Sequence, residues 1–177
     1  MINLIPWTQR VFEFGQPIGA FPAILERLRG TPARASEIVA GVPEDVLSNP
    51  INEGWSPKEH LGHLVDLESL DLARLQQFLI RTAVLSPADA RNLATEEAGH
   101  GRVPVQQILR RMRTGRDALV GKLERLTEGD VAIAALHPRL QRQMRIVDWA
   151  WFVAEHDDHH LASARRAIRE TLARRNE

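Results

Sequence analysis

The chain has 177 residues, with 23 Lys and Arg balanced by 23 Asp and Glu, seven His, four Trp, and neither Cys nor Tyr. One domain is the expectation at this length, and the lack of cysteine excludes a disulfide framework, a thiolate metal site and a cysteine nucleophile. Zero net charge argues against nucleic acid as the main partner and for a small molecule, and any metal site has to be built from His, Asp and Glu.

Residues 1–16 read as an irregular arm, anchored by Trp7, Phe12 and Phe14, ahead of a single helical domain over 17–177. The start is broken by Pro6 and carries no basic stretch, so it does not read as a secretory signal. No apolar run approaches the roughly 18 to 20 residues of a membrane span. A cytoplasmic protein without membrane contact is expected.

Period-two runs of Val, Ile and Thr are missing, and the long segments repeat at three and four residues, so the chain reads as nearly all helical. A first helix is expected from about Ile18 to Arg29, interrupted at Gly30-Thr31-Pro32, where Thr31 caps a new turn and Pro32 takes its first position, and resuming to about Ala40. Gly41 to Gly54 reads as a loop. Ser56-Pro57-Lys58-Glu59 announces a second helix running to about Ile80, with an N-cap Ser and a Glu placed to close a capping box. Residues 85–103 read as a connection with one short helical turn. A third helix runs from near Pro104 to near Leu126, and a fourth from about Ile146 to Arg174, after a loop carrying His137-Pro138. Four helices of about 20 to 29 residues, roughly 30 to 40 Å each, predict an all-α four-helix bundle with short extra helical segments.

The fourth helix carries the strongest chemical signal. At about 100° per residue, Trp149, Val153, His156, His160, Ser163 and Ala167 fall within about 40° of one direction. His156 and His160 therefore project from one face a turn apart, the way a helix gives two imidazoles to one metal ion. The plain alternative is a pair of core histidines bonded to carboxylates. Imidazoles in an apolar stripe are costly unless something satisfies them, and one metal would satisfy both. His159 lies to one side.

On the second helix His60 and His63 border a wide apolar arc, and geometry alone does not choose between them. Glu68, Asp71 and Arg74 intrude on that arc, either as an ion-pair network inside the bundle or as pocket residues. Arg116 is the single charge in the stripe of the third helix. Pairing with Glu68 or Asp71 is the favoured expectation; a guanidinium facing a pocket would instead hold a carboxylate substrate. Nucleotide-binding loops, a nucleophile elbow and HExxH are all absent. The aromatic arm and Trp151 suit either a homodimer interface or packing within the chain.

The segments Trp55 through Leu64, His137-Pro138-Arg139-Leu140, and Asp148 through His160 resemble the DinB-like superfamily, over about residues 18–172. The resemblance implies a four-helix bundle holding a divalent metal, Zn or Ni most often, on three His: His63 from the second helix, and His156 and His160 from the fourth. His60 then becomes a neighbour or capping residue. Three neutral ligands leave a position open for water, which would lose a proton more readily there. Glu59, Asp66, and Glu155 or Asp157 are candidates to hold the second nitrogens of the ligating rings. Thiol-dependent transferases occur among such proteins, which implies a low-molecular-weight thiol as cosubstrate, consistent with a chain that has no cysteine of its own. Ser163 stands where relatives often carry Gln. The expected function is metal-dependent chemistry on a small molecule, of thiol-transferase or hydrolase type, with Asp71, Arg74 and Arg116 as pocket residues. The alternative is a non-catalytic, stress-related metal-binding or structural bundle.

Overall fold

The capping box forms as the sequence dictates: Glu59 N–H donates to Ser56 Oγ (3.3 Å) and Ser56 N–H to the Glu59 carboxylate (2.7 Å). Pro57 sits at the first position, where its missing N–H costs nothing. The computed structural model describes residues 3–50 and 54–175. In it, helices α1 (Phe21–Val39), α2 (Glu44–Ser48), α3 (Pro57–Leu79), α4 (Leu93–Ala98), α5 (Val105–Leu123) and α6 (Glu128–Val131) are followed by strands β1 (Ala134–His137) and β2 (Arg142–Arg145), then helix α7 (Ile146–Arg175). The long helices are α1, α3, α5 and α7. Each of α1 and α3 packs against both α5 and α7, so helices consecutive in sequence, α1 then α3 and α5 then α7, stand on diagonals of the bundle.

Three expectations are corrected. α1 runs unbroken through Gly30-Thr31-Pro32, with Thr31 and Pro32 both buried, because packing against α5 and α7 overrides the local capping signal. Thr31 Oγ1 donates to Asp157 Oδ2 (2.7 Å) and caps nothing. The stretch Gly41 to Gly54 contains α2, whose Val46 and Leu47 are buried. The loop before the fourth helix is an antiparallel hairpin, His137 pairing with Arg142 and Ala134 with Arg145, joined by one parallel bridge from Val84 to Leu136. Four-residue strands with two buried side chains apiece at most give too short an alternation to read. The short turn expected within 85–103 is present as α4.

The core has two apolar halves. One gathers Leu28, Phe78, Leu119 and Trp149; the other gathers Ala35, Leu61, Met112 and Leu161. Every long helix passes from one to the other through a polar residue: Thr31 on α1, Glu68 on α3, Arg116 on α5 and Asp157 on α7, each at most 5% exposed. Arg116 bridges Glu68 (3.0 Å) and Asp157 (3.1 Å). The arm lies on its own chain. Its single turn Trp7–Gln9 brings Trp7 against Phe152 and Phe12, while Trp151 faces Phe12 and Phe14. Asp148 tethers it by accepting from the N–H groups of Gly15 and Gln16, both at 2.8 Å.

Candidate metal centre

His156 and His160 stand one turn apart on α7, and α3 packs beside it, bringing His63 to the same point. One nitrogen from each of the three rings lies within 4.8 Å of the other two. The Nε2 atoms of His156 and His160 are 3.1 Å apart. Burial holds all three rings neutral: His63 is pushed down to about 4, and His156 and His160, which also repel each other's charge, fall well below the ordinary value.

Hydrogen bonds fix which nitrogens face the centre. His63 Nδ1 is 3.0 Å from Thr95 Oγ1, and that hydroxyl donates onward to Asp66 Oδ2 at 3.0 Å. The hydroxyl proton is thus committed, so His63 must supply its own proton from Nδ1, leaving the Nε2 lone pair free. Asp66 Oδ2 also accepts from His100 Nε2 at 2.8 Å. His160 Nδ1 meets His60 Nδ1 at 3.1 Å; if His160 donates, its Nε2 likewise keeps a lone pair. Neutral imidazoles with converging nitrogens, two of them (His63 and His160) held by a partner at the far nitrogen, are what a divalent ion requires of its ligands, so these residues fit a metal.

Two tryptophans wall the cluster. Trp55 lies 4.9 Å from His63 and 5.8 Å from His160, ring centre to ring centre, and Trp7 presents its edge to His156 at 4.8 Å. His63 and His156 open onto a cavity of about 380 Å³, and Asp71, Arg74 and Arg116 are among the residues that line it. Arg116 is tied into the mid-bundle network, in keeping with its pairing to Glu68. Asp157 is the partner not foreseen, and Asp71 lies near enough to add to the cation's hold on its proton. Burial pushes the Asp71 carboxyl up to about 7 against the attraction of Arg116 and Arg74.

The sequence pattern of the DinB superfamily matches residues 27–164. The chain belongs to that superfamily. Among solved structures, it is similar to YfiT from Bacillus subtilis, described as a probable metal-dependent hydrolase with an unusual four-helix bundle topology, at a TM-score of 0.78 and 16% identity over 94% of each chain. No curated protein matches the sequence. As a DinB superfamily member the chain shares the bundle of YfiT, and the diagonal order of its long helices departs from a simple up-and-down arrangement.

Of the candidates for holding the ligands' second nitrogens, Asp66 reaches His63, through Thr95. Glu59 is spent on the cap, Glu155 on Arg10 and Arg27, and Asp157 on Thr31 and Arg116. Thr95 carried no signal, being a single hydroxyl in a short turn. His100 and His137 are 1% and 3% exposed. Gly62 is the sequence trace that was there to find, since a Cβ at that position would meet the His100 ring at 2.2 Å.

Proposed function

We propose that this DinB superfamily protein is a metal-dependent enzyme acting on a small molecule, with a divalent ion, Zn or Ni, held by His63, His156 and His160. Its chemistry is of hydrolase type, or transfer to a low-molecular-weight thiol. The observation that carries the reading is three neutral imidazoles, nitrogens within 4.8 Å, opening onto a cavity of about 380 Å³. A structural site closes four protein ligands around its ion, whereas three ligands beside a cavity leave room for a reactant. That favours an enzyme over a storage or structural bundle. The description of YfiT adds support from a shared fold.

A divalent ion bound there supplies Lewis acidity and eases deprotonation of the water or thiol that takes the open position. The chain supplies the rest. Thr95 and His60 orient His63 and His160 so that their Nε2 atoms face the centre. Trp7, Phe152 and Val153 line the route and exclude bulk water. Asp71, held near neutrality on the cavity wall, is suited to pass a proton to a leaving group.

The test is elemental analysis of protein prepared without a histidine tag, before and after loading with Zn or Ni, on the wild type and on His156→Ala. About one ion per chain in the wild type, lost in the variant with the helical signal intact, supports the centre. A wild type that cannot be loaded refutes it. Loaded protein challenged with small esters and amides, then with electrophiles plus thiols, separates hydrolysis from thiol transfer.

A further inference from the structure

The cavity beside the histidines has an ionic wall whose charges are not all answered. Asp157 is engaged by Thr31 and Arg116, and Asp89 accepts from the N–H groups of Arg91 and Leu93 in its own turn. Arg74 is different. It is 5% exposed, yet its Nε and Nη2 both donate to one neutral acceptor, the Ser86 carbonyl (3.0 and 2.8 Å), and among the described residues no carboxylate pairs with it. Arg139, in the turn between β1 and β2, has no hydrogen bond or ion pair among the described residues and lines the same cavity. Both guanidinium groups depress the basicity of His137, after burial itself, which puts the three side chains in one neighbourhood. His137 Nδ1 accepts the Leu140 N–H at 3.3 Å, so the neutral ring carries its proton on Nε2 as a further donor.

A guanidinium withdrawn from water without an anion is expensive, and its planar array of donors matches a carboxylate. Of the acids that line the cavity, Asp71 forms no hydrogen bond among the described residues, and its charge is partly suppressed by burial, so this wall stays net positive at neutral pH. We propose that Arg74, Arg139 and His137 form a carboxylate-binding subsite that seats the anionic end of the substrate, with its reactive end toward His63 and His156. Arg74 and His63 are about 16 Å apart along the axis of α3, and an arginine side chain leans back toward the N-terminus of its helix, toward His63. Leu64, Leu67, Phe152 and Val153 line the space between the two ends. The substrate class is therefore an elongated organic acid with an apolar middle. The substrate-holding role considered for Arg116 falls instead to arginines that form no ion pair with a carboxylate among the described residues. This deepens, and as regards substrate rests on, the small-molecule reading above.

The subsite is tested by titration calorimetry on metal-free protein at low salt, with 4-phenylbutyrate and its neutral amide as probes. The acid is expected to bind roughly tenfold or more tightly than the amide, as charge-assisted hydrogen bonds would give. That preference should fall to near unity in Arg139→Gln, a change in an exposed turn residue that breaks no bond of the fold, and in Arg74→Gln if that variant keeps its helical signal. Equal binding of acid and amide, binding of neither, or a preference unchanged in Arg139→Gln would overturn the subsite. So would a preference that appears only after loading with Zn, since the acid would then be sitting at the histidines. Metal content, read separately by elemental analysis, tells failure of the metal centre from failure of the subsite: a protein that takes up no metal but still prefers the acid keeps the second and loses the first.

Discussion

Replacing Arg116 with Met removes the one cation that holds the middle of the bundle together and leaves its carboxylates buried. Arg116 is 1% exposed, Asp157 1% and Glu68 5%, so water cannot take over the lost contacts. Removing one partner of a buried pair costs about 3 to 5 kcal/mol, and at this chain length each kcal/mol lowers the melting temperature by about 2 to 4 °C. The expected loss is about 6 to 20 °C at pH 8, followed by far-UV circular dichroism. The pH dependence makes the reasoning specific. Burial already pushes Glu68 up to about 8 from its ordinary 4.5, overcoming the pull of Arg116. Between those values the folded protein keeps a proton that the unfolded chain releases, so stability falls as pH rises through the window. Without Arg116 the folded carboxyl holds its proton more tightly still, so the variant's deficit stays level where both folded proteins keep that proton and grows as pH rises through about 8, where only the wild type releases it. Glu68→Gln in the Arg116→Met background should recover part of the loss at pH 8. A melting temperature within about 2 °C of wild type at pH 8, or a deficit larger at pH 5 than at pH 8, would refute the account.

Thr95→Val keeps the side-chain shape but cuts the path from His63 to Asp66; metal affinity should drop about 10- to 100-fold by competition with a chromophoric chelator, while the fold survives. Gly62→Ala drives a Cβ into the His100 ring, so His100 must leave Asp66; a stability loss of about 1 to 3 kcal/mol in urea unfolding is expected, together with weakened metal binding. Asp148→Ala unties Gly15 and Gln16 from α7, and trypsin cleavage after Arg10 should accelerate roughly tenfold, with no change in global melting of comparable size. Burial works against the Asp148 charge, but its bonds to Arg145, Gly15 and Gln16 prevail and hold its pKa below 3.8, so in the wild type the arm should stay tied at pH 5 and loosen as pH falls below that value.

What could be read from the residues alone, and what could not, follows from how local each signal is. The box at Ser56 and Glu59 and the four-residue spacing of His156 and His160 involve one helix each, and both appear as read. Thr31-Pro32 was equally local and misled, because the forces that decide it come from α5 and α7: Thr31 spends its hydroxyl on Asp157 across the core. The hairpin at 134–145 was too short to announce itself, yet it carries His137 and Arg139 to the cavity. The same contrast explains the mid-bundle layer. Glu68 and Arg116 each look like a fault in an apolar stripe when their helices are read singly, and Asp157 reads only as a candidate partner for a ligating ring. Assembled, they fall at one level, between apolar halves that alone would let the helices slide by a turn and repack. A slip by one turn (about 5.4 Å) would strand a guanidinium among leucines and carry His63 away from His156. The layer thus acts as a register pin, and the histidine cluster, one residue from Asp157 on α7 and just over a turn from Glu68 on α3, is the part of the molecule that most needs the register kept.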